Sequence, residues 1–242
     1  MLVISRLSTL ATIYLSIKTV LAVTCGSGNL DLSKWKLQLP IGDPGKPQTV
    51  SSADLCKGFT NPDYFFFDST GALVMKVPGS ADSSGCVTTT NSKHCRTELR
   101  ETTPSVWSPN GKTNRLVGDL KVTKNDNGEV VVGQIHIDDS ISSKPVAELY
   151  YASSGKLRMG VQTSRDGNQK STDIDTVPVG QRFTYEIRYE GNVLSVGING
   201  KTPIVLSTFE LNAPDSYFKA GNYDQSDNPI EVHFYKIQTT HA

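Results

Sequence analysis

The chain has 242 residues, with 24 lysines and arginines set against 24 aspartates and glutamates and a formal net charge of zero. That length suits one large domain with a substantial core, and all-β domains reach this size without dividing. A balanced charge excludes any global pull toward nucleic acid, so attraction for a polyanion must reside in a local cluster.

The first segment, M-L-V-I-S-R-L-S-T-L-A-T-I-Y-L-S-I-K-T-V-L-A, has a single Arg6, an apolar stretch from Leu7 to Ile17 and a small-residue ending at Ala22. It resembles a secretory signal peptide, residues 1–22, leaving residues 23–242 as a single secreted, extracellular domain. A membrane anchor suits it less, because about twenty uninterrupted apolar residues are needed and Lys18 breaks the run. Without Arg6 and Lys18 the basic count falls from 24 to 22 against 24 acids, a charge of about −2. No membrane contact is expected after removal, and a monomer is the default. Four cysteines, Cys25, Cys56, Cys86 and Cys95, follow the signal, an even number that favours two disulfides. Of three possible pairings, 25 with 56 and 86 with 95 gives the simplest local closure. No C-x-x-C spacing points to zinc, and no N-x-S/T sequon is present.

In chain order, a short helical turn is expected from Ser51 to Leu55, with Ser51 or Ser52 as its cap. Runs with strand character are A-L-V-M-K-V from Ala72, R-L-V-G-D-L-K-V from Arg115, V-V-V-G-Q-I-H-I from Val130, A-E-L-Y-Y-A from Ala147 and K-L-R-M-G-V-Q from Lys156. F-T-Y-E-I-R-Y from Phe183, V-L-S-V-G-I from Val193, P-I-V-L from Pro203, Y-F-K-A-G-N-Y from Tyr217 and I-E-V-H-F-Y-K-I from Ile230 complete the series. Asn127-Gly128, Glu190-Gly191-Asn192 and Asn199-Gly200 supply turn chemistry between them. There is no heptad, repeat or linker. The pattern predicts an all-β protein, a β-jelly roll sandwich of two antiparallel sheets.

Strand residues two apart share a face. Arg96, Glu98 and Arg100 therefore stand together, as do Gln134 and His136, and Tyr217, Lys219, Gly221, Tyr223 and Gln225. A solvated face would read the same way for any one strand. Glu98 reads as structural, accepting from both flanking arginines and holding their guanidinium forks. Gly221 reads as a close approach of ligand or neighbouring backbone.

R-T-E-L-R (96 to 100), Q-I-H (134 to 136) and Y-F-K-A-G-N-Y-D-Q (217 to 225) resemble, in order and spacing, the three signature blocks of the alginate lyases of polysaccharide lyase family 7. The similarity runs from about Asn29 to the C-terminus. One departure is Asp224, where the family usually has Asn; by alternation it points away from the groove. The resemblance implies a concave substrate cleft and cleavage of 1,4-linked uronate chains, alginate, by β-elimination. It implies that Arg96 and Gln134 neutralise the sugar carboxylate, His136 is the base for one epimer, and Tyr223 is the acid, or both acid and base for the other. Because four residues span about 13 Å of strand, Arg100 and Lys219, with Tyr217 and Gln225, are assigned to neighbouring subsites. Tyr185 is either a further cleft contact or a core or rim tyrosine. No cofactor or metal is expected, since guanidinium and amide do a Lewis acid's work. Ile135 within the Q-I-H block leans toward guluronate or mixed sequences, with endo action expected.

Two rivals remain. A lectin-like module would hold acidic glycans without cutting them and needs no Gln, His and Tyr set. A jelly-roll glycoside hydrolase needs two carboxylates about 5 to 9.5 Å apart, and no E-x-D-x-x-E strand supplies them.

Overall fold

The computed structural model of the chain describes residues 25–28, 30–90 and 92–242. The expected signal segment, residues 1–22, lies outside the described residues. The elements are β1 Gly26–Ser27, β2 Leu30–Asp31, β3 Trp35–Asp43, β4 Lys46–Val50, α1 Ser52–Cys56, β5 Phe65–Phe67, β6 Leu73–Val77, α2 Ala81–Ser84, β7 Arg96–Glu101 and β8 Asn114–Asn125. They continue with β9 Glu129–Ile137, β10 Pro145–Ala152, β11 Lys156–Gln162, β12 Gln169–Thr176, β13 Arg182–Glu190, β14 Val193–Ile198, β15 Ile204–Leu206, β16 Ser216–Asp224 and β17 Ile230–His241.

Every apolar run named from the sequence lies on a strand. The strands that the sequence reading omits include short ones, such as β5 Phe65–Phe67, and ones whose pattern is interrupted or polar. Pro40 and Gly42 break β3, and β12 reads Q-K-S-T-D-I-D-T because it pairs only with β11 at the edge of its sheet. The helical turn forms where expected. Ser51 is its cap, accepting from the Asp54 backbone N–H at 3.2 Å. The β13–β14 hairpin turns through Gly191 and Asn192, both at positive φ, as glycine and asparagine tolerate.

Among the described residues the strands make two sheets. One is ordered β12-β11-β10-β9-β16-β7-β3-β4, the other β1-β2-β17-β8-β13-β14-β15 with β6 and β5 added beside β17. All pairings are antiparallel except a single parallel bridge between β17 and β2. Leu37, Leu99, Ile135, Leu149 and Phe218 of the first sheet face Leu116, Leu120, Phe183, Ile187 and Phe234 of the second, all buried. Each such side chain contributes about 1.5–3 kcal/mol by leaving water. The fold is the all-β jelly-roll sandwich expected.

Tyr185 belongs to this core, not to a cleft: it is buried, and its hydroxyl crosses from β13 to donate to the Val132 carbonyl at 3.0 Å. Two strand glycines make room for it, since a Cβ at Gly118 or Gly133 would lie within 2.8 Å of its ring or hydroxyl. Burial raises the Tyr185 phenol well above its ordinary value. The cysteines pair as Cys25–Cys56 and Cys86–Cys95. The second disulfide closes the loop that leads into β7.

Candidate active site

The three polar strands that are far apart in sequence are neighbours in the first sheet, in the order β9, β16, β7. Cross-strand register places Lys219 opposite both Gln134 and Arg100, Tyr217 opposite His136, Gly221 opposite Glu98, and Tyr223 opposite Arg96. These side chains line a cleft of about 400 Å³, joined by Lys36 and Gln38 from β3, Thr49 from β4, Ser92, Asp139, Lys144 and Glu148. A groove of about 940 Å³ beside the first described residues, lined by Leu30, Trp35, Lys34 and Lys236, gathers no comparable set.

Glu98 is the buried hub. It accepts from Arg96 at 3.1 Å, from Lys219 at 2.5 Å and from the Gln134 amide nitrogen. Burial alone would raise its pKa, but the charges of Lys219 and Arg96 outweigh burial and hold it below the usual carboxylate range. Of the two arginines read from sequence as its partners, only Arg96 reaches Glu98; Arg100 pairs instead with Asp139 at 2.8 Å. Lys219 also needs correcting. Far from serving a separate subsite, it shares Glu98 Oε2 with Arg96 and lies 6.0 Å from the Tyr223 ring. Distance along a strand misleads here, because a long lysine side chain reaches diagonally across the gap that Gly221 leaves open. Burial, then the charge of Arg96, lowers the Lys219 pKa to about 8.

His136 is mostly buried and stacked on Tyr217 at 5.0 Å between ring centroids. Its Nδ1 lies 2.7 Å from the Ile137 carbonyl, an atom that can only accept, so Nδ1 carries the proton and Nε2 keeps a lone pair. Burial, reinforced by the Lys219 charge, lowers its pKa to about 4. The imidazole is therefore neutral and basic at Nε2 across the physiological range. Tyr217 is spent behind it: the hydroxyl donates to Asp139 at 2.9 Å, and Arg100 lies 3.9 Å over the ring. With 3% exposure it serves as a wedge between His136 and Arg100 more than as a sugar contact.

Tyr223 projects beside Arg96, whose guanidinium lies 3.6 Å from its ring centroid. Its hydroxyl is 3.3 Å from Ser92 Oγ, which also accepts from Arg96 at 3.2 Å. His94 meets the same ring edge-on at 6.0 Å. Ser92 and His94 come from the loop closed by the Cys86–Cys95 disulfide, which sequence reasoning treated only as a staple. Gln225 does not line the cleft; its amide turns back to the Tyr223 and Asp224 carbonyls past the end of the strand pairing. Asp224 does not line the cleft, in line with the alternation, and is fully buried.

Among the cleft residues not singled out from sequence are Lys36, Asp139, Lys144 and Glu148. The signal for Glu148 was present in A-E-L-Y-Y-A, a lone carboxylate within an otherwise apolar strand. It is 7% exposed and faces Gln134 across the β9–β10 pair. Among the described residues no group of three or more His, Cys, Asp or Glu could hold a metal ion.

Fold and site together define a jelly-roll polysaccharide lyase. The chain belongs to the alginate lyase family, whose model, described as alginate lyase, matches residues 30–241. Solved structures of similar fold come from polysaccharide lyase family 7. One is alginate lyase A1-II′ carrying a Tyr-to-Phe change, in complex with product (GGG), at 28% identity and a TM-score of 0.75 over 88% of this chain and 97% of that one. A second is the same lyase with His-to-Asn and Tyr-to-Phe changes, in complex with substrate (GGMG), at 29% identity and a TM-score of 0.76, covering 88% and 95%. A third is an alginate lyase from Pseudomonas aeruginosa, at 27% identity and a TM-score of 0.76, covering 88% and 100%. Among curated protein sequences, nothing matches the chain.

Proposed function

We propose that this protein is a secreted lyase that cuts the 1,4-linkages of alginate within the chain, favouring guluronate or mixed sequences. The observation that carries the reading is the convergence, in one cleft, of buried cations and an amide with a neutral imidazole and a phenol. A uronate C5 proton is weakly acidic because the adjacent carboxylate opposes further negative charge, so that charge must first be offset. Arg96, Gln134 and Lys219 are the donors for this task. His136 Nε2 then removes the C5 proton of guluronate. The C5–H electrons form the C4=C5 double bond, the C4–O4 bond breaks, and the Tyr223 hydroxyl protonates the departing O4. For mannuronate, Tyr223 performs both transfers.

Support for substrate class comes from the related lyase held with oligosaccharides after His and Tyr replacements. Support for action within the chain comes from the breadth of the cleft, which draws residues from β4 through β10. The signal-like segment and the two disulfides favour secretion. The domain over residues 23–242 is expected to act as a monomer, which light scattering would check. A hydrolase reading fares worse, because Glu98 is saturated by three donors and held ionised, the wrong state for an acid catalyst.

The decisive test is product analysis on block-defined alginates. Unsaturated uronate ends, released as mixed-length oligomers and fastest from guluronate blocks, are expected. Binding without new absorbance would turn the reading toward a lectin. His136→Asn should cost more on guluronate than on mannuronate blocks; equal losses would remove His136 as the epimer-specific base.

A further inference from the structure

We propose that Glu148 is a substrate-contacting residue, a carboxylic acid held neutral by Tyr150 and Gln169 so that Oε1 offers the polysaccharide an uncharged hydrogen-bond acceptor beside Gln134. The inference rests on the lyase reading above and extends it to a residue outside the three signature blocks.

Hydrogen counting carries the argument. The Tyr150 hydroxyl lies 2.7 Å from Glu148 Oε2 and 2.9 Å from Gln169 Oε1, while the Gln169 amide nitrogen contacts the same Oε2. Three mutual contacts need three hydrogens. Tyr150 supplies one and Gln169 directs one, so the third must be the carboxyl's own. Reversing the Gln169 amide changes which atom donates but leaves the same deficit. With Oε2 protonated, the carboxyl donates to Tyr150, Tyr150 donates to Gln169, and Gln169 donates to Glu148, closing the ring. An ionised Glu148 would leave two oxygens in contact with no hydrogen between them.

Oε1 is the free end. No protein donor among the described residues reaches it, and Glu148 lines the cleft on the same face as Gln134. A bare carboxylate there would repel every uronate that passes, whereas a neutral acid can accept from a sugar hydroxyl without that cost. The net electrostatics agree in direction: burial, with the Glu98 charge adding, outweighs the Tyr150 and Gln169 contacts and the Lys219 charge, which favour the ionised form, and raises the Glu148 pKa. The groups facing it are Tyr150 on its own strand, Arg158 on β11 stacked 3.7 Å over the Tyr150 ring, Lys219 on β16, and Arg96 and Glu98 on β7.

The test is the pH dependence of KM on alginate for the wild type, Glu148→Gln and Tyr150→Phe. An amide at 148 carries no charge, so Glu148→Gln should not lower KM below the wild type at pH 6, as it would if the wild-type carboxyl were ionised. At whatever higher pH the carboxyl ionises, the wild-type KM should rise about tenfold above that of Glu148→Gln, the cost of one repelled charge, about 1.4 kcal/mol. Lys219 titrates in both proteins and drops out of the ratio. Tyr150→Phe removes one hydrogen and should raise KM already at pH 7, with rescue in the Tyr150→Phe, Glu148→Gln double variant. A Glu148→Gln KM well below that of the wild type at pH 6, or a double variant no better than Tyr150→Phe alone, would overturn the proposal. Failure of the wild type to form unsaturated product would instead overturn the lyase reading.

Discussion

His136 shows how one side chain's chemistry is set by what surrounds it. Burial and the Lys219 cation hold its folded pKa at about 4, below the ordinary histidine value, so the base stays available as pH falls until about 4. The acid limb of kcat/KM on guluronate blocks should therefore lie near pH 4 rather than near 6.5. Lys219→Met, by removing the opposing charge, should move that limb upward, and a pH–rate profile decides it. A wild-type limb near 6.5 would mean that the imidazole is not desolvated in solution. Tyr223 is tested differently. Tyr223→Phe keeps the ring under Arg96 and deletes the transferable proton, so kcat should fall by about 10²–10⁴ with KM little changed. Near-normal turnover would remove the phenol from the proton path.

At the scale of elements, β16 does the assembling. It lies between β9 and β7 and presents Tyr217, Lys219 and Tyr223 to residues from both neighbours. Its close approach to β7 depends on Gly221, where an added Cβ would stand 2.6 Å from the Thr97 carbonyl oxygen and 2.7 Å from the Glu98 Cα. Gly221→Ala should cost about 1–3 kcal/mol of stability by overpacking and lower kcat by pushing Lys219 and Tyr223 off Glu98 and Arg96. Thermal denaturation and steady-state kinetics measure the two effects. An alanine variant with unchanged melting temperature and turnover would show that the strands have slack. The sequence offered both readings of Gly221, ligand or backbone; only the register with Glu98 selects backbone.

For the molecule as a whole, Asp224 makes stability depend on pH. It is fully buried, one oxygen accepts from the Ser226 N–H and hydroxyl at 2.7 and 2.8 Å, and the other has no partner. Burial raises its pKa to about 7, well above that of an unfolded aspartate. The folded state thus binds the proton more tightly. The stability from this group is full below about pH 4 and is lost as pH rises through 7. Asp224→Asn should flatten that dependence, matching the wild type at low pH and adding about 1–3 kcal/mol at pH 8. Chemical denaturation at pH 4 and pH 8 checks it, and equal effects at both would refute it.

Local chemistry was readable from the chain alone. Strand runs at β6, β8 to β11 and β13 to β17 gave the sandwich, turn residues gave the hairpins, and the period of two placed Arg96, Glu98, Gln134, His136, Lys219 and Tyr223 on polar faces. Those features depend on neighbours within a few residues, which the sequence lists directly. What the tertiary structure alone decided was which polar faces meet. Strand order β9-β16-β7 brings residues far apart in the chain into register, turns Lys219 inward to Glu98 and sends Tyr185 into the core. It also ties Arg100 to Asp139 and closes the Glu148, Tyr150 and Gln169 ring. Contacts of this kind are set by strand pairing and packing across long loops, and no local pattern encodes their partners.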